Sequence, residues 1–213
     1  MKKNTYLAMT IAMLSFVSCS SDKKETSSES TVEVSDETAS SAVTSGKYKI
    51  KSGTIEFVTS AGDLKGRKVV HFDDYGAKER VESYDGNEPL KGYNTSDGNT
   101  RYYIDLEKKS AWISDQNGSR GWEMQFHTWN ELERQGQSEN YNRVENISVA
   151  GKDCEAYEYG GSTVFAGWQG LTLYQKQKPN ILVEAVKLEE NVAHDPSVFA
   201  VPEGFEVKET PSY

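Results

Sequence analysis

From Lys47 onward the sequence predicts a mainly β domain of the α+β class, an antiparallel meander with one short helix laid across it. Three observations carry that prediction. Asp85-Gly86, Asp97-Gly98, Asn117-Gly118 and Gly160-Gly161 recur along the chain, each supplying the positive-φ positions that tight hairpins need. Between them apolar and polar residues alternate, which is the period of a strand with one buried face. A single stretch, residues 126–137, changes to a spacing of three through Phe126, Trp129 and Leu132.

Taken in order, the chain opens with Lys2 and Lys3, then an almost wholly apolar or small run over residues 6–16. That run has the length of a secretory h-region and falls well short of the roughly 20 residues of a spanning helix. Phe16-Val17-Ser18-Cys19 closes it. The ending resembles a lipobox, with Phe16 where Leu is commoner. The resemblance implies a lipoprotein signal peptide over residues 1–18, with Cys19 as the lipid-attachment residue and first residue of the mature chain. Each buried CH2 contributes about 0.8 kcal/mol and durable anchoring needs more than one acyl chain, a requirement that a triacylated cysteine meets. The other reading is an ordinary secreted protein cut nearby, with Cys19 lost or left as a free thiol. Anchorage implies an outer-membrane location, on the periplasmic side or at the cell surface.

Residues 19–46 form the next unit. From Ser20 to Gly46 nine residues are Ser and four are Thr, with no aromatic. Such a segment cannot bury enough apolar surface to offset its ordering entropy, so a disordered tether is expected. Residues 47–213 remain for a single domain, enough to bury about 70% of its unfolded surface. The net charge of -9 argues against nucleic acid and against electrostatic binding to anionic lipid. With Cys19 acylated, Cys154 has no disulfide partner and reads as a small buried hydrophobe in an alternating stretch.

Within the domain, Tyr48 and Ile50 alternate over residues 47–51, and a bulge at Gly53 would bring Ile55 and Phe57 onto the same buried face. Residues 69–72 form a short strand ended by the turn Asp73-Asp74-Tyr75-Gly76, and residues 77–84 form a half-exposed one. Residues 100–106 keep Tyr102, Ile104 and Leu106 in phase, and residues 110–114 set Ala111 and Ile113 against Trp112. The helix of residues 126–137 ends near Gly136, with Phe126, Trp129 and Leu132 facing the sheet. Strands follow at residues 145–149, 153–159, 163–168, 171–177 and 181–189. Asp195-Pro196 caps a single short turn, and a brief last strand follows Phe205.

Three blocks are similar to an uncharacterised group of small gram-negative lipoproteins. They are Tyr48-Lys49-Ile50-Lys51-Ser52-Gly53 with Phe72-Asp73-Asp74-Tyr75-Gly76; Gly151-Lys152-Asp153-Cys154 with Thr163-Val164-Phe165 and Gly170-Leu171-Thr172-Leu173-Tyr174; and Asp195-Pro196-Ser197-Val198-Phe199 with Pro202-Glu203-Gly204-Phe205. The same order of features resembles the LolA/LolB-like fold. That resemblance implies a strongly curved antiparallel sheet or incomplete β-barrel whose concave apolar surface holds acyl chains.

Candidate chemistry is sparse. His71, His127 and His194 lie far apart and form no metal-ligand spacing with cysteine. Glu123, His127 and Glu131 fall four apart, the pattern of one helix face, which solvated charged faces share. No Gly-x-Ser-x-Gly, Cys–His pair or phosphate loop appears, so neither catalysis nor a cofactor or metal is expected. The aromatics are the better group: Trp168, Trp112, Trp129 and Tyr174 are the candidate ligand-binding residues. Trp168 leads because Gly167 and Gly170 flank it and glycines let a ligand approach the backbone. The expected partners are a membrane through Cys19 and a hydrophobic ligand or another envelope protein in the curved sheet. The other readings are a surface lipoprotein that binds protein or glycan through exposed aromatics, and, last, a hydrolase with an unrecognised site.

Overall fold

The computed structural model describes residues 46–114 and 124–209. The leader, Cys19, the tether to Ser45, the Asn117-Gly118 turn, Trp122, Glu123 and residues 210–213 lie outside them.

The alternating stretches form β1 (Gly53–Ala61), β2 (Leu64–Asp73), β3 (Lys78–Asp85), β4 (Gly92–Asp97), β5 (Arg101–Asp105) and β6 (Ser110–Ile113), then β7 (Tyr141–Val149), β8 (Lys152–Tyr159), β9 (Thr163–Trp168), β10 (Leu171–Gln177), β11 (Ile181–Glu190) and β12 (Glu206–Glu209). All of these join one sheet in the order β12-β6-β5-β4-β3-β2-β1-β11-β10-β9-β8-β7. Two meanders therefore meet where β1 pairs with β11. Every pairing among the described residues is antiparallel except β12 on β6, which is parallel. The class is mainly β, with one α-helix among the described residues, and the curved sheet stays open, with β7 and β12 as its edges. Register shifts at Glu56/Phe57, Thr172/Tyr174 and Val144/Ile147 bend it, because an extra residue in one strand increases the local twist.

Alternation fills both faces. Ile55, Phe57, Val70, Phe72, Val81, Cys154, Ala156, Leu171 and Leu173 pack into the main cluster, with Tyr48 and Met124. Glu82, one residue past Val81, points to the other face. Its row leads through Tyr93 to Ile104 and Ala111, which form a second cluster under Leu90, Val201 and Phe205.

Four sequence expectations change. Residues 47–51 are not a strand: Tyr48 N–H donates to Tyr75 O at 3.0 Å and Lys49 N–H to Gln169 O at 2.9 Å, so the segment bridges two turns. Its alternation still buries Tyr48 and Ile50. No bulge forms at Gly53; the extra residue is Val186, on β11 between the partners of Glu56 and Phe57. The helix α1 is short, Trp129–Arg134, because Phe126 N–H is taken by Gly170 O at 2.8 Å, and Gln125 bridges to Leu171, before the chain can coil. Finally, β4 arises where the sequence is too polar to read as a strand. Its buried Thr95 hydroxyl lies 3.1 Å from Glu79 O and 3.0 Å from Phe199 O, which makes burial of that polar side chain tolerable.

Candidate binding surface

The richest surface lies over β7, β8 and β9. Tyr157 and Tyr159 alternate with Glu158 on β8; register sets Tyr141 opposite Tyr159 and Phe165 opposite Tyr157. Tyr141 stands edge-on to Tyr157 at 4.9 Å between ring centroids and tilted against Tyr159 at 5.0 Å. Phe126 stacks on Tyr157 at 4.9 Å and 18°. Its ring occupies the space over Gly167, where a Cβ would come within 2.1 Å of Phe126 Cγ. Leu132 and Trp129 of α1 complete the cluster. Burial pushes the Tyr157 phenol well above its ordinary range, and Tyr141, Glu155 and Glu131 add to the effect.

Polar groups fix this roof. Trp129 N–H donates to Glu155 Oε1 at 2.9 Å, and its indole Nε1 donates to Glu133 Oε1 at 2.8 Å. Glu155 also faces Arg143 at 3.8 Å. Thr128 N–H donates to Glu131 Oε2 at 2.7 Å, satisfying a donor at the helix start. Burial raises the Glu131 pKa, but the bonds from Thr128 and the charge of Lys49 outweigh it and hold the carboxyl below its usual value. Tyr159 remains 47% exposed, and Tyr141 and Trp129 are half-buried. Aromatic edges thus meet water beside fixed carboxylates, an amphipathic arrangement found at protein interfaces.

The four aromatics singled out from the sequence lie apart. Trp129 belongs to the surface just described. Trp168 and Tyr174 pack against the main cluster; Lys152 Nζ covers the Trp168 ring at 4.3 Å and is held by Glu190 at 2.6 Å. Tyr174 stands opposite Glu184, and burial followed by that charge raises its phenol. Trp112 sits on β6 under Lys208 Nζ at 5.5 Å, with β5, β4, β3, β2, β1, β11 and β10 between it and β9. The glycines beside Trp168 admit the chain itself: Gly167 is covered by Phe126, and Gly170 by the backbone of Lys47 and Tyr48.

The structure also assembles groups that spacing keeps apart. His71 and His194 meet edge to face at 5.5 Å, and His194 packs on Phe199 at 5.5 Å. His194 Nε2 donates to Gly53 O at 3.0 Å, while His71 Nδ1 lies 3.3 Å from Thr54 Oγ1. Burial lowers the His71 pKa; Glu82 opposes that, and His194 and Arg80 reinforce it. Beside them Arg80 pairs with Glu82 at 2.7 Å and lies over the Tyr93 ring at 3.7 Å, while Tyr84 Oη donates to Glu82 at 2.6 Å. The buried Glu79 accepts from Tyr48 Oη and pairs with Lys47 at 3.2 Å. No sequence signal joins His71 to His194; only the strap of residues 191–205 crossing the sheet does. His127 precedes α1, so it does not share a helix face with Glu131. Among the described residues no three His, Cys, Asp or Glu side chains gather as a metal site. Cys154 is buried, and desolvation pushes its thiol up to about 11.

Several clefts open on the surface. One of about 210 Å3 is lined by Ser83, Asp85, Glu88, Asn94 and Tyr103 among others. Another of about 320 Å3 lies between Val58, Lys65, Gly66 and Leu182, and a third of about 440 Å3 between Ser60, Lys176, Pro179 and Ile181. Within the main cluster the space is taken by the fully buried Tyr48, Ile55, Phe57, Val70, Phe72, Leu171 and Leu173.

No family model and no curated protein matches the sequence. Among solved structures, an uncharacterized conserved protein of Thermus thermophilus superposes with a TM-score of 0.50 at 7% identity, over 75% of this chain and 91% of that one. That likeness is one of fold. MucB superposes at 0.47 with 13% identity, over 76% of this chain and 62% of that one. The Pseudomonas aeruginosa MucA/MucB complex gives 0.43 and 13%, over 74% of this chain and 58% of that one. The chain spans less than two thirds of the length of those MucB chains.

Proposed function

We propose that the chain is an outer-membrane lipoprotein held by acylated Cys19, and that its LolA/LolB-like domain is a non-enzymatic module binding another envelope protein. The observation that supports the binding mode is the pairing of a packed interior with a half-exposed aromatic surface. An acyl chain between the walls would have to displace Phe57, Phe72 and Leu173, all fully buried. Tyr141, Tyr159 and Trp129 meanwhile present rigid, amphipathic contact area at low entropy cost, with Glu133 and Arg143 as a polar rim. Trp168, Trp112 and Tyr174 are peripheral to this reading; Trp129 is central to it.

A photo-crosslinking residue replacing Tyr159 in the full chain, expressed in a gram-negative envelope, tests the mode. A discrete protein adduct is expected, lost when Trp129 and Tyr141 are also replaced by Ala. Adducts to lipid alone would return the reading to hydrophobic-ligand carriage. The anchor is tested separately: labelled palmitate should enter the wild-type chain and not Cys19→Ser.

A further inference from the structure

Where the main apolar cluster ends at Val81, the same face of the sheet continues as a row of a different kind. Register sets Val81 opposite Asn94, Asn94 opposite Tyr103 and Tyr103 opposite Trp112, so the four form a line across β3, β4, β5 and β6. Ser83 and Asp85 follow on β3 and share the face of Val81, because side chains alternate along a strand. The loop of residues 86–91 closes the far side, and the space between is the cleft of about 210 Å3. That loop is held at both ends. Glu88 N–H donates to Asp85 O at 3.0 Å and Leu106 N–H to Lys91 O at 3.0 Å, while Leu90 packs into the second cluster. The cleft is therefore formed before a ligand arrives, as small-molecule sites usually are.

Its lining has the chemistry that a hydroxyl-rich ring needs. Tyr103 reclines over Gly92, where a Cβ would come within 2.7 Å of Tyr103 Oη and 3.1 Å of Cζ, and the tyrosine remains 43% exposed. Trp112, next in the row, has Lys208 Nζ over its ring at 5.5 Å; among the described residues neither a cation nor another ring stacks on Tyr103. Ser83, Asn94 and Asp85 stand beside it, and their side chains form no hydrogen bond or ion pair among the described residues. One hydroxyl, one amide and one carboxylate are thus left over at fixed positions. Charge disfavours an anion there. The charged residues of the lining are Asp85, Glu88 and Lys91, and Lys91 is already engaged by Glu88 at 3.1 Å. An acyl chain fits no better, because it would strip water from those three polar groups without bonding them.

We infer that this cleft binds a neutral pyranose, one sugar unit of a glycan, with the C–H face of the sugar on Tyr103 and its hydroxyls bonded to Asn94, Ser83 and Asp85. A pyranose presents an apolar face and a rim of donors and acceptors, the complement of an aromatic ring edged by polar side chains. A volume of about 210 Å3 lies below the roughly 300–1,000 Å3 of drug-sized pockets and suits a single ring. The cleft lies on β3, β4 and β5, and the aromatic surface on β7, β8 and β9. The inference therefore goes beyond the function proposed above and stands or falls separately.

Saturation-transfer difference NMR on the full chain, purified in a detergent without a sugar headgroup, tests it. The probes are the methyl glycosides of glucose, galactose, mannose and N-acetylglucosamine, with glucose 6-phosphate as the anionic counterpart. At least one methyl glycoside should receive saturation, most strongly on the C–H protons of one ring face, and titration gives its affinity. Tyr103→Ala and Asn94→Ala should each weaken that affinity about tenfold, the loss of one stacked or one hydrogen-bonded contact. Tyr103→Phe keeps the ring and should bind as the wild type does, which separates lost stacking from lost folding. No transfer to any methyl glycoside, undiminished affinity in both Ala variants, or tighter binding of glucose 6-phosphate than of the methyl glycosides would each overturn the inference.

Discussion

At the scale of single residues, two positions show how a small group decides its surroundings. Gly167 is a landing site for the Phe126 ring, with a Cβ on that position meeting ring carbons at 2.1 and 2.4 Å. Gly167→Ala must expel the ring or shift β9, and overpacking of this kind costs about 1–3 kcal/mol. Urea unfolding should show that loss, whereas Gly62→Ala, with nothing near its Cβ, should lose only what its positive φ demands. His71 is the second. Its folded pKa is depressed by burial first, with Glu82 opposing and His194 and Arg80 reinforcing. The unfolded chain therefore takes up this proton at higher pH than the folded one. The associated stability is fully present above about pH 6.5 and is lost as pH falls through the folded value. Melting curves between pH 7.5 and 5.5 should fall, and His71→Gln should flatten that dependence. Neither position announces itself in the sequence: Gly167 reads as an opening for a ligand, and His71 as an isolated histidine.

At the scale of elements, legibility follows how much of a segment's fate is local. β9 and β10 have the bounds their alternation predicts, because Gly160-Gly161 and Gly170 punctuate them and their apolar faces are unbroken. β4 is not legible. Its buried positions include Thr95 and Ser96, whose hydroxyls are satisfied by carbonyls of β3, of the strap and of Ala77 just before β3, partners that local pattern cannot reveal. The helix is half legible. Its inward residues do share one cluster, but its start is set by Thr128 and by the capture of Phe126 N–H rather than by periodicity. With so short a helix, the cap carries much of its stability. Glu131→Ala removes the carboxylate that accepts from Thr128 N–H and should cost about 1 kcal/mol. Trp129 fluorescence should shift with it, since its Nε1 bond to Glu133 depends on the same turn.

At the scale of the whole molecule, the candidate site is legible as a residue type and not as a place. The sequence singles out four aromatics, and of these only Trp129 lies on the surface that Tyr141, Tyr157, Tyr159 and Phe165 build. Which rings share a face is settled by long-range register, above all by β1 on β11. That seam carries the main cluster from one meander to the other through Phe57 opposite Ala185. Phe57→Ala should therefore cost about 3–5 kcal/mol and weaken both meanders together. A fall in the urea midpoint reported alike by Trp112 and Trp129 fluorescence would show that unity; separate transitions would deny it.

The seam also has a consequence in time. Residues 53–61 leave the ribosome long before residues 181–190, their partners on one side. Until β11 arrives, β1 carries an open edge beside Ile55 and Phe57, and closing so long a loop is slow. The middle of the sheet thus closes only when β11 arrives, ahead of β12 on β6 alone. A nascent chain paused before Ile181 would offer that edge to the first holdase, or the first paused copy of itself, that it met.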